Sequence, residues 1–349
     1  MFDDRVFLQA DIYSKLTTDM LFNNYNIPSS AGFGSLRFLN GGELENRGWE
    51  LMANWRVVRT KDFSLFLDFN TSRNVNTFNM VPENFNKERN TSLTNGAFPQ
   101  LVKEGEPIGS FYGVRYLGVW PSDEDVVARD AKGNPLLDGE GNPIPLTFQG
   151  SYVFKGGDAR YEDVNHDGVI DLNDVVYIGD SNPDFIGGFG ASLKYKDFDF
   201  SFGFHYRLGF DIVNRVAINT EGMLNRNNQS KAVLSRWRVQ GQDEPGTLPR
   251  AYLNHPANNL GSDRYVEKGD FMRLNNVKFG YQLPQKTCSR LGLRSLNLAL
   301  SARKLFTITQ YSGQDPEVGQ NASDPFWIGE DNANTPPPKT FTFSLLVGF

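Results

Sequence analysis

The chain has 349 residues, enough for one large domain or two ordinary ones, and a formal net charge of −6 with a pI of about 5.3, which gives no basis for binding nucleic acid. Mean hydropathy is −0.45, and no stretch approaches the roughly 20 apolar residues of a membrane helix. A single cysteine, Cys288, excludes an intrachain disulfide, and with no histidine near it in sequence it is expected as a buried or membrane-facing thiol.

The aromatic content argues for a two-faced sheet. The 28 Phe and 13 Tyr recur singly between polar residues in a chain that is 39% hydrophobic. Met1 leads directly into a strand-like run, 2–14, without a basic n-region or an apolar h-region, so the chain is expected to be cut from a longer one. Alternating strands then follow at 49–57, 63–69, 189–195, 198–207, 277–283, 296–302 and 339–349. In 198–207 the apolar set is Phe198, Phe200, Phe202, Phe204 and Tyr206, without an error. That length matches the roughly 9–11 residues of a tilted membrane strand. The opposite face carries Asp199, His205, Arg207, Asn275 and Lys278, which suit the wet lumen of a barrel.

The connections are asymmetric. Turns at 59–62 and 196–197 and the link at 284–294 are short, whereas 15–42, 77–184, 214–269 and 310–338 are long and polar. Short turns on one side and long loops on the other are the arrangement of an outer-membrane barrel. Counting back from Phe349 as a periplasmic end, all the long connections fall outside the cell if there are eight wall strands. The count fails if 109–120 (GSFYGVRYLGVW) is a ninth. That segment is therefore expected inside the 77–184 excursion, as a hairpin above the membrane. The expected class is all-β, a transmembrane antiparallel β-barrel embedded in outer-membrane lipid.

Within this excursion, residues 163–174 read DVNHDGVIDLND. Asp163, Asn165 and Asp167 stand at positions 1, 3 and 5 of an EF-hand loop, with Gly168 at its sharp turn, the carbonyl of Val169 at 7 and Asp171 at 9. Position 12 is Asp174, whose shorter side chain reaches a bidentate geometry less readily than Glu. Alternating oxygens are what a hard cation needs, so these six residues are candidate Ca2+ ligands, ordering a loop rather than working a switch. The competing reading is an Asx-rich turn that bonds its own backbone. There is no phosphate loop, dinucleotide fingerprint or zinc spacing, and the three histidines are scattered. No enzymatic activity is expected. Aromatics in the loops (Phe85, Trp237, Trp327) could stack on sugars or pack the loops, and Arg236 and Arg238 around Trp237 read as a solvated loop element.

Several stretches, taken together and in order, resemble the C-terminal barrel region of the SusC/RagA family of TonB-dependent outer-membrane transporters. They are NGGELENRGWEL (40–51), GSFYGVRYLGVW (109–120), GDARYEDVNHDGVIDLNDVVYIGDSNPDF (157–185), YVEKGDFMRLNNVKFGYQLP (265–284) and LFTITQYSGQDPEV (305–318). The resemblance implies the last part of a barrel of about 22 strands, with the plug domain and first strands missing. It implies import of oligosaccharides or peptides, a SusD-like lipoprotein as lid, and coupling to TonB only through the missing N-terminal part. Two other readings stand beside it: a self-contained eight-strand barrel acting as adhesin or anchor, and a secreted calcium-binding β-sandwich.

Overall fold

The computed structural model describes residues 5–26, 30, 32, 35–82, 88–239, 247–317, 319 and 328–349. Eight strands form one antiparallel sheet in chain order: β1 (Val6–Asn26), β2 (Ser35–Arg59), β3 (Phe63–Met80), β4 (Phe185–Tyr195), β5 (Phe198–Leu208), β6 (Phe271–Gln282), β7 (Ser295–Arg303) and β8 (Thr340–Gly348). A short strand, Thr307–Thr309, continues the ladder on β6 beyond the end of β7. No described helix is long and apolar enough to cross a membrane.

The register turns the period-2 pattern into rows. Val6, Trp55, Leu67, Ala191, Phe202, Val277, Ala302 and Phe341 are successive partners across all eight strands. The next row runs Val58, Leu65, Leu193, Phe200, Phe279, Leu300 and Phe343. The alternate rows are polar, as in Ser192, Ser201, Lys278, Ser301 and Thr342. Phe341 and Phe343 are each 68% exposed. No second layer covers them, which removes the β-sandwich: a sandwich exists to bury such a face.

Among the described residues, no ladder joins β1 to β8. The sheet is therefore an open wall, and a self-contained eight-strand barrel, whose first and last strands would pair, is not what forms.

Three expectations are corrected. The polar segment 15–42 is not a long irregular loop: β1 and β2 stay paired from Val6↔Trp55 to Asn26↔Ser35. A two-stranded ladder satisfies its own backbone groups, so polar composition alone does not end a strand. The 25 residues of β2 extend about 80 Å at ~3.3 Å each, well beyond a hydrocarbon layer of ~30 Å. Second, 109–120 stays outside the wall but is no hairpin. Its two halves, Ser110–Gly113 and Tyr116–Val119, pair instead with Val176–Asp180 and Ala159–Tyr161. Third, Asn275 is not an ordinary inner-face residue. It is the extra residue of a bulge between the pairs Gly203↔Asn276 and Phe204↔Leu274, and its carbonyl accepts from Lys304 N at 2.9 Å. The bulge changes the parity of β6, so Arg273 lies opposite His205 on the polar face.

At one end of the wall the connections are short: 60–62, 196–197, and 283–294 with the helix Gln285–Arg290. Cys288 is buried there, its thiol donating to Leu283 O at 3.5 Å. At the other end, connections 81–184, 209–270 and 304–339 merge into a cap, and the buried core lies there rather than in the wall. One cluster joins Leu93, Val114, Trp120, Phe148, Phe154 and Ile170 to Ala257 and Leu260. A second joins Phe98 and Phe111 to Val213, Ile218 and Tyr265. Strand Asp211–Asn214 lies between Val266–Lys268 and, in parallel, Glu330–Asp331, so all but the first connection share that small sheet.

Candidate functional site

The acidic loop 163–174 forms part of the first connection's core. Gly168, at φ +85°, with His166 at φ +60°, lets the chain reverse, and Val169–Ile170 then pairs in parallel with Thr147–Phe148. This seats Ile170, fully buried, in the first cluster. Asp163 and Asn165 converge: Asp163 Oδ1 and Asn165 Oδ1 both accept from Asp167 N, at 3.2 and 3.1 Å. Asp163 Oδ2 accepts from Gly168 N at 2.8 Å, and Asp167 Oδ1 from Val169 N at 2.8 Å.

Asp171 caps the single turn Leu172–Asp174, accepting from Asn173 N at 2.7 Å. Asp174 closes the capping box, with Oδ2 on Asp171 N at 2.9 Å, while its Oδ1 holds Val164 N at 2.7 Å across the loop. Asp174 is fully buried, and burial, aided by the Asp163 charge, pushes its carboxyl above the usual range. Four carboxylates and an Asn amide thus hold the loop's own backbone. Among the described residues, no three His, Cys, Asp or Glu side chains converge as a metal set. The six candidate residues are brought into one turn, but as a self-bonded one.

Three charged clusters that sequence patterns did not reveal tie the cap together. Asp158, fully buried, accepts from Arg250 Nε at 2.8 Å, Asn258 Nδ2 at 3.2 Å, Tyr152 Oη at 2.7 Å and Lys155 N at 3.0 Å. His255 completes it: its Nδ1 accepts from Ala257 N and Asn258 N, so Nε2 carries the proton and donates to Tyr152 Oη at 2.8 Å. Burial, reinforced by Arg250 and opposed by Asp158, pushes His255 below the ordinary histidine range. This cluster pins the 209–270 connection to the 81–184 connection.

At the junction of cap and wall, buried Arg273 of β6 donates Nη2 to Asp315 at 2.5 Å, Nη1 to Glu317 and Nε to Thr307 Oγ1 at 2.8 Å. Glu317 is shared with His205 Nε2 of β5 at 3.2 Å. The hydrogen bond from His205, with the Arg273 charge, holds the Glu317 carboxyl below its usual range despite burial. The third cluster surrounds Arg264 and Arg236. Nothing local in the sequence marks these groups, because their partners lie far along the chain, 103 residues apart for Tyr152 and His255. The only available signal was an arginine out of place in the period, since Arg273 shares the odd parity of Val277, Phe279 and Tyr281.

Trp237 is accounted for as packing. Gly157, at φ +84°, lies against its ring so closely that a Cβ would collide with it. Arg236 is buried, not solvated. Phe85 and Trp327 lie outside the described residues.

No protein-family model matches the chain. It is similar to TonB-dependent receptor P3 of Formosa agariphila, 31% identical over all of this chain and 33% of the relative. It is similar also to TonB-dependent receptor P39 of that organism, 31% identical over the whole chain and 34% of the relative. TonB-dependent receptor SusC of Bacteroides thetaiotaomicron is 25% identical over 94% of the chain and 28% of its own length. Among solved structures, the RagAB peptide transporter superposes with a TM-score of 0.71 over the whole chain and 34% of its own, at 21% identity. The chain thus spans about a third of the length of the relatives it matches. With its open antiparallel wall and loop cap, it matches the C-terminal portion of the barrel of TonB-dependent receptors, SusC among them, and shares the fold of the RagAB transporter.

Proposed function

We propose that this chain supplies wall strands and the outer loop cap of an outer-membrane importer, with a transport role and no catalytic one. The imported nutrient is an oligosaccharide or a peptide. A SusD-like lipoprotein covers the cap, and TonB drives the receptor through its N-terminal part. The observation that carries this reading is the wall itself: apolar rows continue strand to strand on one face and polar rows on the other, with an interlocked cap at one end only. Lipid takes the apolar face, the lumen the polar face, and the cap meets ligand outside the cell. The name of one similar structure, a peptide transporter, supports the peptide class, and the oligosaccharide class is what the family resemblance implies.

The test is uptake by cells expressing the full-length receptor and its neighbouring lipoprotein. Growth on an oligosaccharide or peptide source should require the receptor and should fail when residues 209–270 are replaced by a short turn in a barrel that still inserts. Unchanged growth without the receptor would remove the proposal.

We also propose that the 163–174 loop takes Ca2+ through Asp163, Asn165 and Asp167, with the Val169 carbonyl, Asp171 and Asp174 completing the set. Support comes from the convergence of Asp163 and Asn165 on one N–H and from the raised carboxyl of Asp174 beside Asp163. A bound cation would relieve that crowding and fix the loop. Calorimetry with the full-length receptor should record Ca2+ heat that Asp167→Ala abolishes; no heat in the parent leaves the loop an Asx turn.

A further inference from the structure

Arg264 sits in the single turn Asp263–Tyr265 that leads into the short strand Val266–Lys268, ahead of β6. Its side chain is only 7% exposed, and its one ion pair, Nη2 to Glu221 Oε2 at the end of helix α1 (Arg215–Glu221), is long at 3.4 Å. Aromatic rings lie over the guanidinium: Tyr265 at 4.8 Å and Tyr116 at 5.3 Å from Cζ. Rings can attract the cation but accept no in-plane hydrogen bond, and Nε and Nη1 are buried with no partner. Three of the five N–H bonds belong to those two nitrogens.

The rest of the neighbourhood is short of acceptors too. The Arg236 charge acts on the same Glu221 carboxylate and repels Arg264. Arg236 spends its Nη2 on the Glu221 backbone carbonyl and reaches Gln229 Oε1 at 3.4 Å. Two guanidiniums therefore face one carboxylate. Ser262, two residues before Arg264 and fully buried, also has an unpartnered hydroxyl. Neither tyrosine hydroxyl accepts from these nitrogens; Tyr116 donates to Thr247 O at 2.9 Å and Tyr265 to Asn259 Oδ1 at 3.2 Å.

A buried guanidinium with unmet donors costs free energy until an acceptor arrives, and a charged acceptor is the strongest. We propose that Arg264, with Arg236 behind it, is a receptor for a carboxylate carried on a small solute, a site in the cap separate from the acidic loop. The ligand class follows from the donors: Nε and Nη1 lack an acceptor, and two guanidiniums against the single Glu221 carboxylate leave one positive charge uncompensated.

The probe is sodium acetate at constant ionic strength against sodium chloride, with the full-length receptor in detergent and the cap followed by hydrogen exchange at residues 262–268. Acetate should slow exchange there saturably. In Glu221→Gln, which removes the competing internal carboxylate, the half-saturating acetate concentration should fall about tenfold, as one lost like charge near a partly buried site allows. In Arg264→Lys, which keeps the charge but loses the planar donors, the acetate response should vanish. Should Glu221→Gln fail to fold, the contrast between the parent and Arg264→Lys still decides. Exchange that responds to acetate and chloride alike, or an acetate response retained in Arg264→Lys, overturns the proposal.

Discussion

At the scale of single residues, buried charge is what the cap is made from. Asp158 has no exposure and five polar neighbours within 3.4 Å, His255 among them. Removing one partner of such a group strands the others, which costs about 3–5 kcal/mol in closed settings. Arg250 keeps a quarter of its side chain in water, so Asp158→Asn is expected at the low end, about 3 kcal/mol, read as lost protease resistance of 81–270 with the wall intact. His255 adds a pH dependence whose sign is fixed by its bonds. Its Nδ1 already accepts two N–H groups, so the folded state resists a proton that the unfolded chain accepts near pH 6.5. Cap stability should be flat above about pH 6.5 and decline as the pH falls below it. His255→Gln should flatten that decline, with hydrogen exchange at 255–260 measured from pH 7.5 to 5. Asp174→Ala removes two clamps at once and should cost about 1–2 kcal/mol locally, in the range of lost helix caps, visible as faster exchange at Val164 and Asp171.

At the scale of elements, the wall was legible because period 2 is a local signal. The apolar set of 198–207 predicts one face of β5, and the register places Phe200, Phe202 and Phe204 beside Leu193, Ala191 and Phe189. What sequence did not reveal was where strands stop. Residues 15–42 are polar, and polarity predicts a loop, yet a ladder above a membrane needs no apolar face to persist. The bulge at Asn275 leaves only a change of phase, from Met272 and Leu274 at even positions to Val277, Phe279 and Tyr281 at odd ones, and its meaning appears only once the pairing is known. The six acidic-loop residues were found together because their spacing is local. Asp158, His255 and Arg273 were not, because each draws its meaning from distant chain. The face assignment makes a measurable claim: Phe202→Arg, at mid-height of the apolar rows, should cost about 2–4 kcal/mol for folding into a bilayer. Ser201→Arg, one residue earlier and facing the other way, should cost far less in the same assay with the full-length receptor.

At the scale of the whole molecule, the sheet has two unsatisfied edges. β1 pairs only with β2 and β8 only with β7 among the described residues, and lipid does not tolerate open edges. Residues 1–349 expressed alone should therefore not yield a heat-modifiable monomer on electrophoresis. Co-expression with the part of a full-length relative that this chain does not span should restore one. A stable monomer from 1–349 alone would mean that β1 and β8 can meet.

The parallel pairing of Val213 with Glu330 bears on assembly as well as architecture. It joins segments more than 100 residues apart, and between them run β6 and β7, which must cross the membrane first. Closing such a distant contact is slow compared with a hairpin. The cap therefore matures last, after its final strand has emerged, and an inserted but uncapped barrel should accumulate briefly, with its outer loops open to protease before the Asp211–Asn214 strand is captured from both sides.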